Sequence, residues 1–307
     1  MIRILHFSDV HVEVPFAELP KGELVSKRFI GLMNLWLRRG WRFREVVPKL
    51  EALARFYEQG NFDLVLASGD HTALGTGPEL RRARQLLSPL IGAPLGFVTV
   101  PGNHDLYLGD TLRDDRFSFR FGDLMETDFP ELTTHGAWPV VKRIGDDLAV
   151  VAVNSARPNP QPWRSSGRIP EAQLVGLARA VADERIRDRF IVVMTHYAPR
   201  RPDGTPDTFR HGLENWSAFE DACRGIRRGM VIHGHLHDCF HLGTAHVPGM
   251  PLQTFCAGSA TDAKHNGFWV YEINGEQSRA LRGGWAGAEY ALDGTVVPLD
   301  VSLSGSL

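Results

Sequence analysis

What this chain of 307 residues lacks narrows its function first. No apolar run approaches the ~20 residues that a helix needs to cross a bilayer, so no spanning anchor is expected. Cysteine is scarce: Cys223, Cys239 and Cys256 are odd in number and contain no C-x-x-C pair. They read as small buried thiols and exclude a disulfide framework. Neither sign of charge dominates, with 34 Lys and Arg against 36 Asp and Glu, a net charge of −2 and a pI of about 6.7. No global field draws nucleic acid, and none is expected as a partner. No internal repeat, low-complexity stretch or clean linker divides the chain, so one domain over residues 1–307 is expected. Residues 2–8 already read as a core strand and leave no room for a leader, which points to a soluble, cytoplasmic protein.

What is present is an ordinary globular balance, 43% hydrophobic and 23% charged, enough for a sizeable core. The organising stretch is Val231-Ile232-His233-Gly234-His235-Leu236-His237, an apolar run that reaches a glycine and then two histidines one residue apart. On extended backbone, side chains at i and i+2 project the same way, so both imidazoles could reach one point. Neutral imidazole is the commonest metal ligand. The same design recurs along the chain. Ile2 to Phe7 ends at Ser8-Asp9-Val10-His11, Phe62 to Ala67 at Ser68-Gly69-Asp70-His71, and Leu95 to Val100 at Pro101-Gly102-Asn103-His104-Asp105. Phe190 to Thr195 then runs into His196. In open α/β sheets, ligands bind where strands end.

Helices are expected over 43–60, 80–90, 113–124, 171–187 and 214–225, and a β-hairpin over 140–153 turning at Gly145-Asp146-Asp147. After His237 the pattern turns to strands at 239–247, 251–257 and 267–273, with a β-rich tail at 278–307. Residues 15–44 form a basic, apolar insertion. From Lys21 to Arg44 seven basic residues (Lys21, Lys27, Arg28, Arg38, Arg39, Arg42, Arg44) face one acid, Glu23, a net of +6. Phe29, Leu32, Met33 and Trp36 fit a helical stripe among them. Such a segment either lies on an anionic membrane surface or packs on its own domain with arginines reaching out to water; we favour the second.

Asp9-x-His11, Gly69-Asp70, Gly102-Asn103-His104-Asp105, His196 and Gly234-His235-x-His237, in that order, resemble the calcineurin-like metallophosphoesterases, a likeness running from residue 4 to Ala257-Gly258-Ser259. The resemblance implies an α/β fold, a four-layer α/β/β/α sandwich of two mixed sheets, with two divalent metal ions at one edge. It assigns Asp9, His11, Asp70 and His237 to the first ion, and Asp70, Asn103, His196 and His235 to the second. Mixed N and O donors suit Mn, Fe, Zn, Ni or Co. Two ions bridged by one carboxylate, ~3.5–4 Å apart, can clamp an in-line displacement at phosphorus, with a bridging hydroxide as nucleophile. His104 resembles the family's catalytic histidine, a proton donor to the leaving oxygen.

The chain departs from related protein phosphatases at Ala73, where they carry an acid that orients the catalytic histidine. Asp105 or a backbone carbonyl is expected to serve instead. His71 either faces substrate or is a satisfied core imidazole. His6, His135, His211, His233, His241, His246 and His265 are read as structural or surface residues. The expected activity is hydrolysis of a small phosphodiester or phosphomonoester, a diester first. The alternatives are a lipid-linked phosphodiester or pyrophosphate and an inactive metal-binding scaffold.

Overall fold

The computed structural model describes residues 1–299 except 25, 36, 38, 39 and 276. Trp36, Arg38 and Arg39, counted above in the insertion's stripe and charge, lie outside the described residues, as does the tail beyond Leu299. Among the described residues, twelve strands form two mixed six-stranded sheets. β1 (Ile2–Phe7), β2 (Leu64–Ala67) and β3 (Phe97–Thr99) run parallel and are extended by the antiparallel β10 (Phe268–Ile273), β11 (Arg279–Trp285) and β12 (Tyr290–Pro298) in the order β12-β11-β10-β1-β2-β3. The second sheet runs β4-β5-β6-β7-β9-β8, built from β4 (Val140–Ile144), β5 (Leu148–Ala152), β6 (Phe190–Met194), β7 (Gly229–His233), β8 (Cys239–Leu242) and β9 (Thr254–Ala257). Its central strands β5, β6, β7 and β9 are parallel.

The parallel strands are apolar on both faces, as LVLA in β2 and FIVVM in β6, because each is covered on both sides. The sheets meet across an interior in which Phe255 of β9 packs edge-on to Trp269 and Tyr271 of β10, and the Trp269 indole donates to the Cys256 carbonyl at 2.9 Å. Helices close the outer faces: α1 (Ser26–Asn34), α2 (Val46–Gln59), α3 (Gly77–Leu86), α4 (Ser88–Ile91), α5 (Gly109–Arg113), α6 (Arg116–Phe121), α7 (Glu171–Ala182) and α8 (Trp216–Cys223). Phe56 of α2 packs on Phe268 of β10, and α7 packs against α8 on the second sheet. The result is an α/β sandwich of the expected class.

Several elements differ from expectation at their ends. The helix expected from residue 43 begins at Val46, leaving Phe43 free to sit against His11, with ring centroids 4.9 Å apart. The single helix expected over 113–124 is broken by Asp115, which adopts φ 44° between α5 and α6. The β-rich tail is a hairpin of β11 and β12, which pair through a bulge between Leu281 and Gly283.

Candidate metal centre

The ends of β1 and β2 continue to pair after the strands finish. The amides of Asp9, His11 and Val12 donate to the carbonyls of Gly69, Asp70 and His71 at 2.9–3.0 Å. From the other sheet, Gly234 donates to the His196 carbonyl, and the Ser259 hydroxyl donates to the Asp9 carbonyl at 2.7 Å. Loops from both sheets are thereby stitched along one edge, where Asp9, His11, Asp70, Asn103, His196, His235 and His237 come together.

Their backbone is not the extended one that the i, i+2 argument assumed. Asp9, His11, Asp70, His235 and His237 adopt φ between 46° and 71°, five of the seven non-glycine residues with positive φ among those described. Left-handed backbone is uncommon outside glycine, and Asp and His are among the residues that tolerate it best. The two histidines of the His-x-His pair therefore turn apart. Nε2 of His237 lies 3.1 Å from Nε2 of His11 and 3.3 Å from Oδ1 of Asp9, while Nδ1 of His235 lies 2.9 Å from Oδ1 of Asn103. Nε2 of His196 is 3.1 Å from Asn103 Oδ1 and 3.6 Å from Asp70 Oδ2, which in turn is 3.9 Å from His11 Nε2. Asp70 thus stands between two donor groups, one of Asp9, His11 and His237, the other of Asn103, His196 and His235.

The glycines of the motifs make this proximity possible. A Cβ on Gly102 would collide with the Asp70 carboxylate and amide, and one on Gly234 with the Ser8 hydroxyl and Asp9 Oδ2. Both serve close approach, not unusual backbone. Asp70 Oδ1 accepts from the His104 amide at 2.7 Å and Asp9 Oδ2 from the His235 amide at 3.0 Å, which aims the remaining carboxylate oxygens inward.

These residues fit two divalent ions. Oδ1 of Asp9 is fully buried and no donor is aligned to hydrogen-bond it, a costly state for a carboxylate oxygen unless a cation is its partner. Charge states agree. Burial pulls the His196 imidazole down, and burial with neighbouring His211 and His196 holds His235 well below its ordinary range, so both are neutral donors. Burial raises the Asp9 carboxyl, but the imidazoles of His11 and His237 close beside it outweigh that and hold Asp9 well below the usual range. Metal binding needs neutral imidazoles and ionised carboxylates, and both are already in place.

Two alternatives left open by the sequence fall to one side beside this cluster. His71 does not face substrate. It is buried, with Nδ1 3.0 Å from Asp105 Oδ2, Nε2 2.9 Å from the Thr99 hydroxyl, and Phe117 and Phe121 against its ring. Asp105 does not orient His104. Its carboxylate accepts from the amides of His71, Thr72 and Gly102 at 2.9–3.1 Å and from the Thr72 hydroxyl at 2.9 Å, tying the loops after β2 and β3 together. The partner of His104 is the Ala73 carbonyl, 2.6 Å from Nδ1. A carbonyl only accepts, so Nδ1 carries its proton and the other ring nitrogen is the one that exchanges protons.

A cleft of about 550 Å³ opens over the cluster. His104, Asp70, His235 and His237 lie at its floor, and the insertion forms one wall with Lys27, Asn34 and Arg42. Trp163, Arg164 and Ser165 form another, and His211 and His265, read from sequence as structural or surface residues, line it as well. The insertion packs on its own domain: Arg28 is buried on Asp110 and the Leu74 carbonyl, Arg42 pairs with Asp262, and Lys27 donates to the carbonyls of Asn159 and Arg164 at 2.7 and 3.0 Å. Burial pulls the Lys27 ammonium down to about 8. His211 lays its ring on His235, with centroids 4.3 Å apart, and its carbonyl accepts from His235 Nε2 at 2.9 Å.

A sandwich with an N/O cluster for two cations at one sheet edge, under an open cleft, defines a dimetal hydrolase of the phosphoesterase type. A family model for calcineurin-like phosphoesterases matches residues 2–239, and the chain belongs to that family, whose members are metal-dependent phosphoester hydrolases. No curated protein sequence matches it. Among solved structures it is similar to a dimetal phosphatase from Danio rerio, with 13% identity, TM-score 0.63, and 97% of this chain and 99% of that one covered. It is also similar to purple acid phosphatase PPD1 from yellow lupin, with 10% identity, TM-score 0.60, and 97% and 52% covered. A third similar fold is GAP50 of Plasmodium, with 11% identity, TM-score 0.52, and 98% and 89% covered. At such identities the likeness is one of fold.

Proposed function

We propose that the substrate is a small phosphodiester, cleaved to a phosphomonoester and an alcohol. The observation that carries this reading is how the cations around the cleft are already engaged. Arg42 is held by Asp262, Arg164 by Glu214, and Lys27 by two carbonyls. A dianionic monoester is usually gripped by uncommitted, forked guanidinium groups, whereas a monoanionic diester needs little beyond the metal centre.

Bound by Asp9, His11, Asp70 and His237 on one side and by Asp70, Asn103, His196 and His235 on the other, two divalent ions supply Lewis acidity and lower the pKa of water. First-row ions such as Mn, Fe, Zn, Ni or Co suit these donors. The chain's own contribution is to hold the phosphoryl group over the floor and place His104 beside it. His104, its Nδ1 proton fixed on Ala73, gives a proton from its other nitrogen to the leaving oxygen as the phosphorus–oxygen bond breaks. The test is a metal-loaded comparison of bis(p-nitrophenyl) phosphate with p-nitrophenyl phosphate. A higher kcat/KM on the diester is expected; a strong preference for the monoester refutes the reading.

The lipid-linked substrate is the second reading. It is supported by the exposed apolar side chains Leu37 and Trp41 on the insertion and Trp163 on the facing wall. Co-sedimentation with anionic vesicles at moderate salt would favour it over the soluble diester.

A further inference from the structure

Where the basic insertion gives way to α2, two consecutive residues turn toward the donor cluster. Phe43 is buried, with its ring centroid 4.9 Å from that of His11 and 6.1 Å from that of His237. Arg42 grips Asp262 at two points, Nε to Oδ1 at 3.1 Å and Nη2 to Oδ2. Oδ2 of that carboxylate lies 3.2 Å from Nδ1 of His237. The main chain joins in, since the Arg42 carbonyl accepts from the Ala263 amide at 2.9 Å. From α2, the buried Lys49 donates to the carbonyls of Thr261 and Asp262 at 3.1 and 3.3 Å and pins the same turn.

These contacts fall on one side of the centre. His11 and His237 belong to the donor group assigned to the first ion. The histidines assigned to the second ion are supported from elsewhere: His196 Nδ1 lies 2.8 Å from the Ser68 carbonyl and His235 Nε2 2.9 Å from the His211 carbonyl. Ser68 follows β2 and His211 precedes α8, so neither support comes from the insertion.

The physical consequence follows from what each contact restrains. The amides of Lys264 and His265 hold Oδ1 of Asp262 at 2.8 and 3.4 Å. Without Arg42 the carboxylate can pivot about that oxygen and carry Oδ2 off Nδ1, freeing the His237 ring. Without the Phe43 ring, His11 and His237 gain room to rotate. A ligand that has to be ordered when the ion arrives binds it more weakly than one already held.

We propose that Arg42 and Phe43 are positioning residues for the first ion, Arg42 acting through Asp262 on His237 and Phe43 by packing on His11 and His237. The insertion thereby sets the affinity of one metal site and leaves the other alone. This rests on the two-ion assignment above.

The test is calorimetric titration of the metal-stripped full chain with Mn(II) in two backgrounds. Asn103→Ala removes a donor from the second site and leaves the first to be measured; Asp9→Ala does the reverse. In the Asn103→Ala background, Arg42→Ala and Phe43→Leu should each weaken binding about tenfold, the low end of the range for groups that hold a metal ligand. In the Asp9→Ala background neither should change it. Arg42→Lys keeps the charge but gives up the two-point grip, and should lose about threefold in the first background. It carries the Arg42 test if melts show that Arg42→Ala does not fold. First-site affinity unmoved or tightened by these changes, or equal weakening in both backgrounds as general loosening of the fold would give, overturns the proposal alone. A wild-type chain that binds no Mn(II) takes down the two-ion assignment and the proposal together.

Discussion

Asp262 stands behind His237: its Oδ2 lies 3.2 Å from Nδ1 of the imidazole, whose Nε2 points into the donor cluster. Burial raises the Asp262 carboxyl, but hydrogen bonds from His237 and Arg42 outweigh it and keep the group ionised. A carboxylate behind a ligating histidine fixes the ring and raises its basicity, so Asp262→Ala should weaken metal binding by roughly 10–100-fold, with Asp262→Asn recovering part of the loss. Calorimetric titration with Mn(II) checks this. Equal affinities in all three proteins would reduce Asp262 to a purely structural role.

Asp70 lies between both donor groups, so its loss reaches two ions at once. Chelation should abolish hydrolysis, a first-row divalent ion should restore it, and Asp70→Ala should lower metal content more than Asp9→Ala or His196→Ala. Elemental analysis after reconstitution decides the matter, and fewer than about one ion per wild-type chain would contradict the assignment.

His104→Ala should keep its metal yet lose roughly 10²–10⁴ in kcat, the range for removing a general acid. Because its proton serves the leaving oxygen, the deficit should shrink for nitrophenolate and grow for alkoxides. Identical losses for both would point to an electrostatic part instead.

The insertion should behave as part of the domain. Arg28 is buried and bonded to both oxygens of Asp110, so Asp110→Ala leaves the guanidinium only Glu23, 3.5 Å away, and backbone carbonyls, and should cost up to about 3–5 kcal/mol, seen in denaturant melts. A double change of Arg28 and Asp110 to apolar residues of similar size should recover much of this. Wild-type stability unaffected by Asp110→Ala would mean the contact is dispensable.

Glu79 contributes the opposite way to most carboxylates. Burial pushes it up to about 7, the hydrogen bonds from Thr76 and Leu74 offset only part, and neighbouring Glu13 adds to the rise. Between pH 4.5 and 7 the folded chain then holds a proton that the unfolded chain has released, so stability falls as pH rises through that window. Glu79→Gln imitates the protonated form and should flatten the slope. A melt series from pH 5 to 8 measures it, and parallel slopes for both proteins would rule the effect out.

The ligands were readable because each follows an apolar run at a strand end, and two of their glycines exist to let a carboxylate approach. What guides His104 was legible only as a choice between Asp105 and a backbone carbonyl, since the acceptor is a main-chain oxygen and the letter at Ala73 says nothing of it. For His71 the sequence left a substrate contact and a satisfied core imidazole equally open, and folding gives the second, turning His71 and Asp105 inward toward each other. Asp262 belongs to no motif and lies 25 residues past the ligand it supports, so only the pairing of β8 with β9 and the turn after it bring the two together. His211 and His265 reach the cleft on irregular loops, where no periodicity reports a direction. The insertion's charge was visible, but its partners Asp110 and Asp262 are distant in sequence and gave no local sign.

Five candidate ligands held in left-handed backbone carry a consequence for the protein's lifetime. Each such residue costs roughly 1–2 kcal/mol for an ordinary side chain, less for Asp and His, and the group together reaches several kcal/mol. The whole net stability of a domain is only about 5–15 kcal/mol. Two cations bound among these residues would act as clasps on a wound spring, and without them the tension would have nothing to hold it. A cell short of the right ion would then lose the enzyme itself to proteolysis as well as its turnover, so that abundance of the folded chain becomes a gauge of metal supply.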